Sequence, residues 1–206
     1  MRYAAVAAFA MLITACERPN TSATAGDTMK AADTGTIAST DGATPAASSD
    51  EAKIAEAMSA APDLISKTAT IMDWPATEGG QPRQLRAGTS GWVCYPSSPN
   101  PKGAVGQDPM CLDPVFQEWA GAWMSKTPPK ITGVGFAYML KGDRGVSNTD
   151  PFATDSTATN NWVRATAHLM VVAPAATLAS VSATPGGSPW VMWKGTPYAH
   201  VMMPVN

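Results

Sequence analysis

Apolar and polar positions divide the chain into stretches of different period. Ala4–Leu12 is a short, unbroken apolar run. Residues 17–49 hold no aromatic residue and are mostly Ala, Thr, Ser, Gly and Asp. So little apolar surface cannot offset the entropy of ordering, and a flexible spacer is expected there. Periodic structure begins at Asp50, which reads as a cap for a helix running from Glu51 towards Met58. Pro62 is expected to open a second helix through Leu64, Ile65, Ala69 and Met72. Arg83–Arg86 and Trp92–Tyr95 are strand-like and separated by Ala-Gly-Thr-Ser-Gly, a pattern that predicts a hairpin.

Asp113-Pro114 is a helix start, with a capping Asp and then Pro at the first helical position. Phe116, Trp119, Ala120, Trp123 and Met124 follow at helical spacing on one face, expected to pack on a sheet. Ile131–Leu140 reads as a strand in which Gly133 and Gly135 allow close approach of a neighbour. A polar loop is expected over 141–160. Asn161–Val172 alternates as one long strand, and Val163, Ala165, Ala167, Leu169 and Val171 form its expected core face. A short helix over 174–181 and strands over 189–194 and 198–205 complete the pattern. Repeated short strands with inserted helices predict an α+β domain: a mostly antiparallel sheet, helices packed on one face, and one disulfide.

Composition adds an address. Met1-Arg2 followed by an apolar run too short to span a bilayer, which needs ~20 residues, resembles a secretory leader over 1–15. It ends in Ile13-Thr14-Ala15-Cys16. This resembles the lipobox of bacterial lipoproteins, in which the cysteine is acylated and becomes the new N-terminus. Expected organisation is therefore a leader over 1–15, lipidated Cys16 with a spacer to 49, and one globular domain over 50–206. Glu17 is not the Asp that some bacteria read as an inner-membrane retention signal, so the periplasmic face of the outer membrane is the expected location. With Cys16 given to lipid, Cys94 and Cys111 remain as a pair in an oxidising compartment, where a disulfide is the default. The formal net charge of −2, without any basic block, argues against nucleic acid as a partner. The expected partners are the membrane, through the anchor, and an envelope component or small ligand.

Four motifs carry a family resemblance: Gly91-Trp92-Val93-Cys94, Asp108-Pro109-Met110-Cys111-Leu112-Asp113, Asn148-Thr149-Asp150-Pro151-Phe152 and Trp193-Lys194-Gly195-Thr196-Pro197-Tyr198-Ala199-His200. Together they resemble a group of uncharacterised exported bacterial proteins over roughly residues 55–206. The resemblance implies export and a single domain, and it brings no activity and no site residue.

Candidate chemistry rests on an echo. Ala167-His168-Leu169-Met170 recurs as Ala199-His200-Val201-Met202, and these hold the only two histidines of the chain. Residues two apart in a strand share a face. Both segments are expected to be strands of one sheet, so His168, Met170, His200 and Met202 are the candidate ligands of a soft metal such as Cu(I). Two apolar strands carrying satisfied histidines explain the same pattern. Ser90, His200 and Asp150 offer the ingredients of a hydrolase without its sequence signature. Asp143, Asn148, Asp150 and Asp155 offer oxygen ligands for Ca²⁺ without the order of an EF-hand loop, and turn chemistry explains them as well. No cofactor motif is present. The leading expectation is a non-enzymatic binding or structural role in the envelope. A copper-binding protein and an envelope hydrolase are the alternatives.

Overall fold

A computed structural model describes residues 49–77, 79–99, 108–186 and 188–205. The leader, Cys16 and the spacer up to residue 48 lie outside the described residues. No helix among the described residues is long and apolar enough to cross a membrane.

Helix α1 (Asp50–Met58) is capped one residue before the expected position, by Ser49, whose hydroxyl accepts from the Ala52 N–H at 3.2 Å. Asp50 and Glu51 then fall in the first turn, where the helix dipole favours acidic side chains. Helix α2 is a single turn, Asp63–Ser66, with Pro62 as its cap. It stops well short of Met72, because Thr70–Asp73 is a strand, β1, with Ile71 fully buried. The Arg86 guanidinium donates to the carbonyls of Ser66 and Ala69 at 2.6 and 2.9 Å, satisfying groups at the exit of that turn.

β2 (Arg83–Arg86) and β3 (Val93–Tyr95) exist as expected but do not pair with one another. β1 lies between them, antiparallel to β2 and parallel to β3. The expected hairpin is corrected by a strand that the proline-opened helix pattern concealed. β4 (Met110–Leu112), β5 (Gly135–Met139), β8 (His168–Val172), β9 (Trp190–Met192) and β10 (His200–Pro204) complete an eight-stranded sheet. Its order is β2-β1-β3-β4-β5-β8-β10-β9, and every pairing except β1–β3 is antiparallel. β6 (Val146–Ser147) and β7 (Trp162–Val163) form a separate two-stranded ribbon.

The expected strand over 161–172 is therefore two strands. Between them Asp143 interrupts the chain: its carboxylate accepts from the Ala165 N–H at 3.1 Å, and its own N–H donates to the Ala165 carbonyl at 3.0 Å. Strand alternation restarts after this break. His168, Met170 and Val172 face the core, while Leu169 and Val171 are only half-buried. The core face of β8 is thus the opposite of the one read from Asn161–Val172.

Helix α3 (Pro114–Met124) starts as the sequence predicts. One Asp113 oxygen accepts from the Phe116 N–H at 2.7 Å, and the other accepts from the Phe136 N–H at 2.8 Å, tying the helix start to β5. The close approach is made at Gly135. A Cβ there would stand 2.8 Å from Phe116 N and 2.9 Å from both Val115 Cβ and Val172 Cγ2, whereas Gly133 faces open space.

Helices do not share one face of the sheet, contrary to expectation. Phe116 and Trp119 of α3 pack with Leu112, Ala137, Met139, Met170 and Met202. Ala57 of α1 packs with Ile71, Cys94 and Cys111. Cys111 and Leu112 are successive residues of one strand and point to opposite faces. Cys94 and Cys111 are direct cross-strand partners, with Sγ atoms 2.00 Å apart, at disulfide-bond distance, and Cα atoms 4.0 Å apart.

Candidate functional site

Both His-x-Met segments are strands of one sheet, and they are neighbours. β8 and β10 run antiparallel with Met170 opposite Met202 and His168 opposite Pro204. Cross-strand partners share a face, as do residues two apart, so His168, Met170, His200 and Met202 all lie on the face covered by α3. The flanking strands add to it. Met139 of β5 is opposite His168, and Met192 of β9 is opposite His200. This face therefore presents four thioethers and two imidazoles, all buried.

The two imidazoles do not meet. His168 is level with Pro204, four residues along β10 from His200, which places their Cα atoms about 13 Å apart along the strands. Each ring is also drawn back along its own strand. His168 Nδ1 lies 2.7 Å from the Thr166 carbonyl, and His200 Nδ1 lies 3.0 Å from the Tyr198 carbonyl. These bonds pull towards opposite ends of the face. The site expected from His168, Met170, His200 and Met202 together is not assembled; only Met170 and Met202 stand side by side.

The surroundings of the rings differ. His200 is edge-on to the Trp119 and Trp193 indoles, with centroids 5.1 and 4.9 Å away. Burial pushes its pKa down to about 4, against the Tyr198 carbonyl bond, and the nearby His168 lowers it further. Burial also lowers the pKa of His168, opposed by the Thr166 carbonyl and by the Asp143 carboxylate. Asp143 is itself raised, chiefly by burial, with the Ala165 N–H, His168 and the Gly145 N–H acting to lower it. Both imidazoles are therefore neutral at neutral pH. A carbonyl can only accept, so each Nδ1 carries the proton and each Nε2 a lone pair. His168 Nε2 is buried and has no hydrogen-bond partner among the described residues.

The other candidates are not brought together. Ser90 follows β2, with its N–H directed to the Thr68 carbonyl, whereas His200 lies four strands beyond β3 in the sheet order. Asp150 is in the loop after β6, its carboxylate accepting from the Phe152 N–H. The polar side chains of that loop are already engaged by other groups of the protein. Asn148 bridges the Trp190 indole N–H and the Ala183 carbonyl, and Asp143 accepts from Gly145 and Ala165. Among the described residues, no three His, Cys, Asp or Glu side chains group as a metal cage. The aromatic face of α3 is core rather than an open platform: Trp119 is buried, and Trp123 stacks on Trp193 and donates to the Pro151 carbonyl at 3.0 Å.

On the opposite face, an open cavity of about 370 Å³ lies beside the single 3-10 turn Ala175–Leu178, lined by Leu178, Val191, Lys194, Thr196 and Ala199. The Lys194 ammonium donates to the Ala179 and Val181 carbonyls at 3.1 and 2.6 Å, leaving a largely apolar lining.

No sequence signal pointed to Met139 or Met192, because neither belongs to the echo; only strand order puts them beside the histidines. No family model matches the chain, and no curated protein or solved structure shows significant similarity to it.

Proposed function

We propose that the chain is an exported bacterial envelope protein, tethered through lipidated Cys16, whose folded domain has a binding or structural role rather than an enzymatic one. The observation that carries the address is the Cys94–Cys111 pair, held at bond distance between neighbouring strands. Such a bond persists in an oxidising compartment and is rare in a reducing one. The leader pattern and Cys16 supply the rest of the address. A binding or structural role is supported by the way the reactive side chains are used. Both histidines are built into the core, and Ser90 and Asp150 lie on elements apart from them.

Metabolic labelling with a palmitate analogue, combined with membrane fractionation of the wild type and Cys16→Ser, tests the tether. Wild-type chain is expected to be labelled and membrane-bound. The Cys16→Ser chain is expected to be unlabelled and either soluble or unprocessed. A cleaved Cys16→Ser protein that still fractionates with membranes would sink the proposal.

Soft-metal binding is a second reading, favoured by one observation. Both imidazoles donate their Nδ1–H to a backbone carbonyl, which is the arrangement that orients a histidine to bind metal through Nε2.

A further inference from the structure

We propose that His168, Met139 and Met170 form a Cu(I) site at the start of β8, with one imidazole and two thioethers as ligands. The proposal rests on reading the domain as a binding module and is independent of where the chain resides.

Three features single out His168 rather than the echo as a whole. The first is its orphaned nitrogen. With Nδ1–H committed to Thr166, Nε2 is buried with a lone pair that meets no donor among the described residues. Burying an unmade hydrogen bond is destabilising. A metal ion bound at Nε2 removes that cost, and the Nδ1 bond already fixes the tautomer that metal binding requires.

The second feature is the donor set. Met139 is the cross-strand partner of His168, and Met170 lies two residues further along the same face. Direct cross-strand partners hold their Cβ atoms about 4.5–5.5 Å apart, within reach of a flexible thioether. Neutral nitrogen and sulfur donors select Cu(I), whereas Ca²⁺ and Mg²⁺ require oxygen.

The third feature is charge. A buried monovalent cation needs a counter-charge, and the Asp143 carboxylate is hydrogen-bonded to the Ala165 N–H, three residues before His168. The Asp143 carboxylate accepts from the Gly145 and Ala165 N–H groups at 2.8 and 3.1 Å, so it is held in place next to the turn that leads into β8. His200 lacks the equivalent arrangement: its ring is enclosed edge-on by the Trp119 and Trp193 indoles.

The test uses the full chain carrying Cys16→Ser, so that no free thiol competes for metal. Ag(I), a redox-inert stand-in for Cu(I), is titrated while the imidazole nitrogens are followed by long-range ¹H–¹⁵N NMR. One equivalent is expected to shift His168 Nε2 and leave His200 in place. Cu(I) affinity, measured by competition with bicinchoninate, is expected to fall about tenfold or more in Met139→Leu and in Met170→Leu and to hold in Met202→Leu. These substitutions nearly conserve volume, so near-UV circular dichroism can verify that the fold survives. The proposal is overturned if one equivalent leaves His168 unmoved, if His200 shifts with it, or if Met139→Leu and Met170→Leu bind as tightly as the parent. None of these results bears on the tether, which the labelling of Cys16 reads separately.

Discussion

Met170 and Met202 are cross-strand partners on one sheet face, and this pairing separates His168 from His200. A His-x-Met sequence repeated on parallel neighbours could set histidine beside histidine. On antiparallel neighbours the repeat is inverted: methionine meets methionine, and the histidines go to opposite ends. Each imidazole then acquires a methionine from a flanking strand, Met139 for His168 and Met192 for His200.

Burial of the histidines predicts acid sensitivity. His200 has a folded pKa of about 4, below its unfolded value near 6.5, and His168 is lowered as well. The unfolded chain therefore binds more protons below about pH 6.5, so stability is full above that pH and is lost as the pH falls towards 4. Asp143, raised by burial, runs the other way and offsets part of the loss. Urea unfolding at pH 7 and pH 5 should show a drop of roughly 2 kcal/mol from His200 alone. His200→Phe should flatten the profile, and an unchanged slope in that variant would contradict the assignment.

Asp113 joins two elements with one carboxylate, capping α3 at Phe116 and accepting from Phe136 of β5. Asp113→Ala should cost about 2–3 kcal/mol, combining a lost cap with an unsatisfied N–H. Asp113→Asn, which keeps one acceptor oxygen, should recover part of that. Equal losses in the two variants would contradict a role for that retained oxygen in either bond.

Gly135 and Gly133 give a paired test of helix–sheet contact. Gly135→Ala forces a methyl group into Phe116, Val115 and Val172 and should cost about 1–3 kcal/mol. Gly133→Ala meets nothing within 4 Å and should leave the melting temperature nearly unchanged. If the two variants melt alike, α3 does not pack on β5 as described.

Cys94 and Cys111 should both resist thiol labelling in unfolded, unreduced protein. Replacing both with Ala should cost about 3 kcal/mol, the loop-closure entropy returned to the unfolded chain. Labelling of either cysteine without reductant would show that the bond does not form.

The sequence by itself determined what depends on neighbours along the chain. Asp113-Pro114 fixed the start of α3, because a cap and an N-terminal proline act within one turn. Alternation marked both His-x-Met segments as strands, and two cysteines remaining after Cys16 implied a pair. Tertiary structure decided which residues meet. β1 was hidden because Pro62 and the apolar run to Met72 fit a helix locally, while its parallel pairing with β3 is a long-range choice. The inward face of β8 was misread because Asp143, distant in sequence, breaks the strand at Ala165 and resets its alternation. Antiparallel pairing of β8 with β10 then set the histidines apart, and the neighbouring β5 put Met139 beside His168. Strand period decides only that a side chain points to one of two faces. Which face is buried, and what stands beside it, depends on which strands come together.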